Sequence, residues 1–478
     1  MHIPPEELIG ALRQLNPWWV AKQVPDNLAP SIRRLAFHES LHLLSTPTRR
    51  AIFLSGARRV GKTTVLYQLA GDFLKRGTAP VNILYLSFDH PFLKLAGIRR
   101  LLDLYEQEVG PRPGGRLLLL DEVQYAGDWE LWVKQLVDRE PVWRIAAAGS
   151  ATVLLSESLV ESGTGRWVTV QVPPLSFYEF LALRKVPEPL DLPDVLPTAL
   201  AAQPREVQQE VLGRTEHLAS HLRTFLLQGG FPETALLPDL QLAQRIMRED
   251  VADKVLKRDL TALYQVRNVL EVEQLFLYLC LHSSQILSQE TLAKEIGVSR
   301  ATVATDLSRL AAAHLLHRLD PWSTGGKAVL RPRPKVFIAH PSLILSVLLR
   351  GEEALDDPQE MGRLIEATVV THVLQFYYRD YPRFGYWRDS RSQREVDLVV
   401  DLRHSLIAVE VKCWENPRLR PTDGLPILAA QVARPVHALL ITKRPVDYGP
   451  LQGSPAFRIP AFLFLYLLGR AERRLWNS

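Results

Sequence analysis

Gly56-Ala-Arg-Arg-Val-Gly61-Lys62-Thr63-Thr64 follows directly on the apolar run Ala51-Ile-Phe-Leu54 and precedes the helix-like Val65-Leu-Tyr-Gln-Leu-Ala70. The stretch fits G-x-x-x-x-G-K-[ST], with a short buried strand before it and a helix after it, the setting a phosphate-binding loop needs. Glycines let the backbone curl so that successive N–H groups face a polyphosphate, and the helix N-terminus adds its positive end. Lys62 then reaches the β- and γ-phosphates, and the Thr63 hydroxyl is suited to ligate Mg²⁺. Gly56, Gly61, Lys62, Thr63 and Thr64 form the candidate nucleotide-binding set. A glycine turn that binds nothing is the plainer alternative, and a second motif downstream weighs against it.

That motif is Arg116-Leu-Leu-Leu-Leu-Asp121-Glu122. Four successive apolar residues read as a strand buried on both faces of a parallel sheet. Acids at its C-terminal end sit where open α/β sheets bind ligands. Asp121 is expected to hold Mg²⁺, directly or through water, and Glu122 to polarise the attacking water as general base. The alternative for the pair is a solvated turn. From Arg50 to about Phe180 strands and helices alternate, which predicts an α/β fold with a doubly covered parallel sheet. Val81-Asn-Ile-Leu-Tyr-Leu86 reads as its second strand and Arg144-Ile-Ala-Ala-Ala148 as its fourth. The latter leads to Ser150, which either senses the γ-phosphate or caps the helix expected over Thr152–Leu159. Arg166, between that helix and the strand Trp167–Val172, is a candidate finger projecting into a neighbouring subunit's site, with an ordinary turn arginine as the alternative.

The chain has 478 residues, 47% of them hydrophobic, enough for about three domains with sizeable cores. No apolar run approaches the ~20 residues that span a bilayer, and the first residues lack a signal peptide's basic and apolar parts. No membrane association is therefore expected. Only two cysteines, Cys280 and Cys413, are present, which fits a reducing, cytoplasmic setting. The net charge of +5 and pI near 9.1 are compatible with nucleic acid without pointing to it. Trp18 and Trp19 are expected to anchor the first 48 residues rather than to stack on bases.

The phosphate loop, Leu117–Glu122, Gly149-Ser150, Gly165-Arg166 and Pro174-Leu-Ser-Phe-Tyr-Glu-Phe180 together resemble AAA-plus-like prokaryotic ATPases that carry a C-terminal domain of unknown function. The resemblance extends through Gly229-Gly-Phe-Pro-Glu233 and Asp253–Asp259 and covers most of the chain, the Pro-Leu-Ser-Phe and Gly-Gly-Phe-Pro stretches being its more specific part. It implies a P-loop ATPase fused to a winged-helix segment and a nuclease-like fold, with ATP as the nucleotide. An oligomer is expected, because a finger at Arg166 acts only at a subunit boundary.

Residues 181–215 are rich in proline and acids and read as an irregular linker, and residues 216–265 as a helical lid. Ser288–Ile296, the turn Gly297-Val-Ser299 and Arg300–Leu310 then give a helix-turn-helix signal, with Leu316–Asp320, Ser323–Gly326 and Lys335–Ile338 as a wing. Arg300, Thr302, Thr305 and Arg309 are the candidate DNA contacts, with Val303, Leu307 and Leu310 left for the core. Protein contact or domain spacing is the alternative use of such a unit. Farther on, Asp397 on one strand and Glu410-Val-Lys412 on the next resemble the PD-(D/E)XK nuclease constellation. A strand's period of two puts Glu410 and Lys412 on one face. The resemblance implies that Asp397 and Glu410 share Mg²⁺ or Mn²⁺, that Lys412 orients or deprotonates water, and that Glu366 adds a ligand from the helix Met361–Leu374.

The expected organisation is an N-terminal helical segment (1–48), a P-loop parallel-sheet core (49–180), a linker and helical lid (181–265), a winged helix-turn-helix (266–345) and an α/β restriction-endonuclease-like domain (346–478). The function expected is a Mg²⁺-dependent ATPase acting on DNA whose nucleotide state regulates the nuclease-like domain. The alternative is a switch whose C-terminal parts bind DNA or partners without cutting.

Overall fold

The computed structural model describes residues 3–149, 165–261, 268–323, 333–389 and 392–476. They divide into two compact units, residues 1–173 and 174–478. The division falls just ahead of Pro-Leu-Ser-Phe, and the segments expected as linker and lid, winged helix-turn-helix and C-terminal domain all fall in the second unit.

Apolar strands dictate the first unit. β1 (Ala51–Ser55), β2 (Ile83–Ser87), β3 (Arg116–Asp121), β4 (Trp143–Gly149) and β5 (Trp167–Gln171) pair in parallel in the order β2-β3-β4-β1-β5. β1 to β4 are buried almost throughout, as a sheet covered on both faces requires. β2 starts two residues later than its apolar run, because Pro80–Asn82 forms a tight helical turn first. α1 (Pro5–Leu15), α2 (Trp18–Ala21) and α3 (Leu35–Ser45) precede β1, and α4 (Lys62–Lys75), α5 (Pro91–Leu104) and α6 (Trp129–Arg139) join the strands.

The tryptophans anchor the N-terminal segment. The indole N–H groups of Trp18 and Trp19 both donate to the Ile83 carbonyl, at 3.0 and 2.9 Å. Asn16 pairs with both backbone groups of Tyr85, donating to its oxygen at 2.9 Å and accepting its N–H at 2.7 Å. An amide side chain thus stands in for a neighbouring strand and blunts the exposed edge of β2.

The second unit begins with α7 (Phe177–Leu183), closed by a capping box between Ser176 and Glu179. The Leu175 N–H donates to the Gly230 carbonyl at 2.8 Å, and the Phe177 N–H to His372 Nε2 at 2.9 Å. A Cβ on Gly230 would stand 2.5 Å from the His340 ring, so only glycine fits there. The Pro-Leu-Ser-Phe and Gly-Gly-Phe-Pro stretches therefore meet as a packing hub. Residues 205–215, expected to be irregular, form helix α8 (Arg205–Thr215): the segment's prolines end at Pro204, one position before the helix, and Val211 and Thr215 are buried. α9 (His221–Gln228) and α10 (Val269–Leu281) lead to α11 (Gln289–Ile296) and α12 (Arg300–Ala312). Gly297, at φ 80°, turns the chain between these last two, and Ser299 caps the second. An antiparallel sheet of β6 (Gln285–Ile286), β7 (Leu316–Leu319) and β8 (Lys335–Ile338) has β8 at its centre. α13 (Pro358–Tyr377) then precedes a six-stranded mixed sheet of order β13-β14-β12-β11-β10-β9. Its strands are β9 (Arg383–Arg388), β10 (Glu395–Asp401), β11 (Leu406–Val411), β12 (Val436–Thr442), β13 (Gly449–Pro450) and β14 (Phe457–Pro460), with α14 (Gly424–Gln431) and α15 (Ala461–Arg474) in the same segment.

His372 lies buried in α13, its Nδ1 2.8 Å from the Thr368 carbonyl, and burial pushes its pKa down to about 4. The unfolded chain takes up that proton near pH 6.5, so stability falls as pH drops between the two values. His372→Gln should flatten the slope by about 1.4 kcal/mol per pH unit between about pH 6 and 4.5. Urea unfolding across that range checks this, and equal slopes in the two proteins would refute it.

Candidate functional site

The phosphate loop runs from the end of β1 into α4. A Cβ on Gly56 would overlap the Val172 carbonyl oxygen, and Gly61 sits at φ 98°, where other residues are strained. Lys62, buried, turns its ammonium back onto the Gly56 and Ala57 carbonyls, each at 2.8 Å. Those contacts hold the loop's lysine inside the cradle it is expected to share with phosphate. Thr64 follows, half-buried in the first turn of α4. Arg34 donates to the Val60 and Pro173 carbonyls and braces the loop from α3's N-terminus.

Across the loop lies the end of β3. The Thr63 hydroxyl donates to Asp121 Oδ2 at 2.7 Å, and the Tyr85 hydroxyl to the same oxygen at 2.9 Å. Burial, then the neighbouring Glu122, pushes the Asp121 carboxyl up to about 6, against the pull of those two hydrogen bonds. A hydroxyl and a carboxylate oxygen already side by side are hard donors of the kind Mg²⁺ takes, so the residues fit that ion. Glu122 adopts φ 52°, and Gln124 donates to its carboxylate. Tyr85 and Gln124 are absent from the sequence-based set. Tyr85 sits inside a predicted strand, where its alternation alone marks nothing but core. Ser150 lies outside the described residues. Arg166 pairs with Asp138 at 3.4 Å, and its carbonyl accepts from Ala51 N–H. It thus stands at the entry of β1, five strand residues, roughly 16 Å at about 3.3 Å each, from the loop at the other end.

In the second unit Asp397, Glu410, Lys412 and Glu366 do come together, but around an unexpected partner. Lys335, at the head of β8 and 3% exposed, places its ammonium 2.7 Å from Glu366, 2.7 Å from Glu395 and 3.0 Å from Asp397. Burial works against that charge, yet Asp397, Glu366 and Glu395 together outweigh it and raise the Lys335 pKa. The β9–β10 pairing slips between Val396 and Val399, a bulge that re-aims Asp397. The second Asp397 oxygen accepts from Val411 N–H at 2.9 Å. Glu410 pairs instead with Lys412 at 2.9 Å, and burial pushes its carboxyl up to about 7. Among the described residues no group of three or more His, Cys, Asp or Glu side chains is disposed to hold a metal ion. The expected ligand set Glu366, Asp397 and Glu410 therefore does not fit a divalent cation as arranged, because an ammonium stands among its carboxylates.

On α12, Val303, Leu307 and Leu310 are buried, while Arg300 and Thr305 are exposed. Arg300 stands 3.3 Å from Glu290, and Thr302 bonds the capping Ser299 at 2.9 Å. Arg309 turns inward to the buried Asp306 at 2.8 Å, which removes it from the exposed face. No helix among the described residues is long and apolar enough to cross a membrane.

Residues 48–181 match the family model of an AAA domain. Residues 219–354 and 361–462 match two domains of unknown function, DUF8612 and DUF4143. An uncharacterized protein of Methanocaldococcus jannaschii is 24% identical over 309 residues, 64% of either chain. One of Haemophilus influenzae is 26% identical over 293 residues, 60% of this chain and 66% of that one. The chain thus spans just under two thirds of the length of these relatives. Among solved structures, AMPPCP-bound DnaA from Aquifex aeolicus is 17% identical over 62% of this chain and 92% of its own, at a TM-score of 0.25, too low to carry an argument. The AAA match and the loop-and-strand geometry support a P-loop ATPase core.

Tyr85→Phe should cost about 1.5–3 kcal/mol, the range for a hydrogen bond to a charged group. A double-mutant cycle with Asp121→Ala, read by urea unfolding, should return a coupling of that size. A coupling near zero would mean that the hydroxyl does not support Asp121.

Proposed function

We propose that the protein is a Mg²⁺-dependent AAA-type ATPase whose nucleotide state governs how its C-terminal half engages DNA. The observation that carries the hydrolytic part is the Thr63–Asp121 contact with Glu122 next in the chain. In this reading Lys62 leaves the Gly56 and Ala57 carbonyls for the β- and γ-phosphate oxygens. Thr63 and Asp121 would hold Mg²⁺, which when bound would supply positive charge beside the phosphates. Glu122 aligns a water, which attacks the γ-phosphorus as the bond to the bridging oxygen breaks, and accepts its proton. Ser150 is assigned to the γ-phosphate side of the cleft. Arg166, at the far end of β1 from its own loop, acts in trans across a subunit boundary.

The DNA part rests on the helix-turn-helix geometry of α11 and α12, read as a winged helix, with Arg300 and Thr305 exposed on the second helix and Thr302 at its start. Of the two C-terminal readings, the non-cutting switch is favoured by the Lys335 ammonium among the acids. Metal-dependent cleavage is the second reading, supported by Glu410 and Lys412 side by side next to Asp397's strand.

Lys62→Ala should abolish hydrolysis, and wild-type turnover in that variant would sink the proposal. Arg166→Ala should lose turnover by about 10³-fold or more while still binding ATP. Full-rate hydrolysis by monomeric protein would remove the finger. DNA should stimulate turnover, with affinity falling steeply as salt rises. Labelled single-stranded, duplex and branched DNA, incubated with Mg²⁺ or Mn²⁺ and with or without ATP, should remain intact. Cutting that Asp397→Ala and Lys412→Ala both lose would establish the second reading instead.

A further inference from the structure

We infer that Lys335 is the resident cation of the C-terminal acidic site, standing where a divalent metal would otherwise bind and excluding it. An ammonium has three N–H donors and no acceptor, and here it meets three carboxylates, Glu366, Glu395 and Asp397, at 2.7, 2.7 and 3.0 Å. Glu395 and Asp397 each accept a hydrogen bond from it, and Glu366 faces it as an ion pair. It arises across two sequence-separate segments: Lys335 from β8 beside the helix-turn-helix, the acids from α13 and β10.

The lysine is held there by backbone contacts. The Tyr386 hydroxyl on β9 donates to the Arg333 carbonyl at 2.7 Å, and the Trp322 N–H to the Tyr386 carbonyl at 2.7 Å. A Cβ on Gly385 would stand 2.6 Å from the Asp320 carbonyl, so β9 is cut to accept this approach. The chain leading to Lys335 is thereby tied, at Asp320–Trp322 and at Arg333, to the sheet that bears two of the acids.

One further atom points to a cation. Glu410 Oε2, on a side chain 11% exposed, has no hydrogen-bond partner among the described residues, while its other oxygen pairs with Lys412. A buried carboxylate oxygen without a donor retains capacity for a ligand. Replacing Lys335 by an uncharged side chain leaves Glu366, Glu395 and Asp397 uncompensated beside it, a set of hard oxygen donors suited to Mn²⁺ or Mg²⁺. Ammonium and divalent ion are therefore alternative occupants of one site. The inference is independent of ATP hydrolysis, and Lys62→Ala protein should behave as wild type in its test.

The test is Mn²⁺ binding to the full-length, nucleotide-free protein, followed by the loss of free-ion electron paramagnetic resonance signal. Wild type should show no Mn²⁺ binding that Asp397→Asn removes. Lys335→Met should gain one Mn²⁺ per chain, at least about tenfold tighter than any wild-type binding, and Lys335→Met/Asp397→Asn should lose it. Mn²⁺ should also raise the melting temperature of Lys335→Met by more than that of Lys335→Met/Asp397→Asn. Mn²⁺ binding to wild type that depends on Asp397 and matches that of Lys335→Met would overturn the inference. So would a folded Lys335→Met protein that gains no ion. Should Lys335→Met fail to fold, the wild-type titration decides alone: Asp397-dependent binding refutes the inference, and its absence supports it.

Discussion

The hydrogen bond from Thr63 to Asp121 ties the start of α4 to the end of β3, and the first unit is arranged so that it can form. β1 sits between β4 and β5, one strand removed from β3, so that the loop at its C-terminal end faces the acids of β3. Gly56 must lack a side chain to lie beside Val172, and Gly61 must take a left-handed backbone to open the helix. Burial makes the Asp121 charge costly, and the hydroxyls of Thr63 and Tyr85 offset part of that cost. A buried carboxylate supported by two donors is a poised ligand, since a cation arriving there relieves a penalty already present.

The second unit meets the same problem by a different route. Its acids are compensated by a lysine from a separate sheet, and the lysine's own desolvation is offset by three carboxylates at once. Removing any one member leaves the others buried and unbalanced, so the cluster links the segment bearing β8 to α13 and β10. The hub at Leu175, Gly230 and His372 relies instead on backbone N–H groups and a glycine that allows close approach.

The side chains that resemble a nuclease constellation thus stand, among the described residues, beside an ammonium held by three acids. Asp397, Glu410 and Lys412 stand on adjacent strands as their spacing requires, yet the charge that completes the cluster comes from Lys335. Which cation an acidic site takes depends on its total charge and on whatever else reaches it, and a motif records neither.

Much of the first unit was legible in the chain itself. Five apolar runs, two glycines, a lysine and an acid pair specify strand, loop and helix locally, because backbone conformation and strand burial are written in neighbouring residues. The helix-turn-helix was legible for the same reason, through Ser288, Gly297 and Ser299. Tertiary structure alone decided that Tyr85 supports Asp121 and that Lys335 closes the acidic cluster. Each of these is a long side chain or a buried charge whose partner is chosen by proximity in space. Lys335 leads a strand of otherwise apolar residues, and nothing in Lys-Val-Phe-Ile separates a solvated lysine from one that meets three carboxylates 31, 60 and 62 positions away. Local sequence determines conformation, whereas the compensation of buried charge is settled only when distant segments pack together.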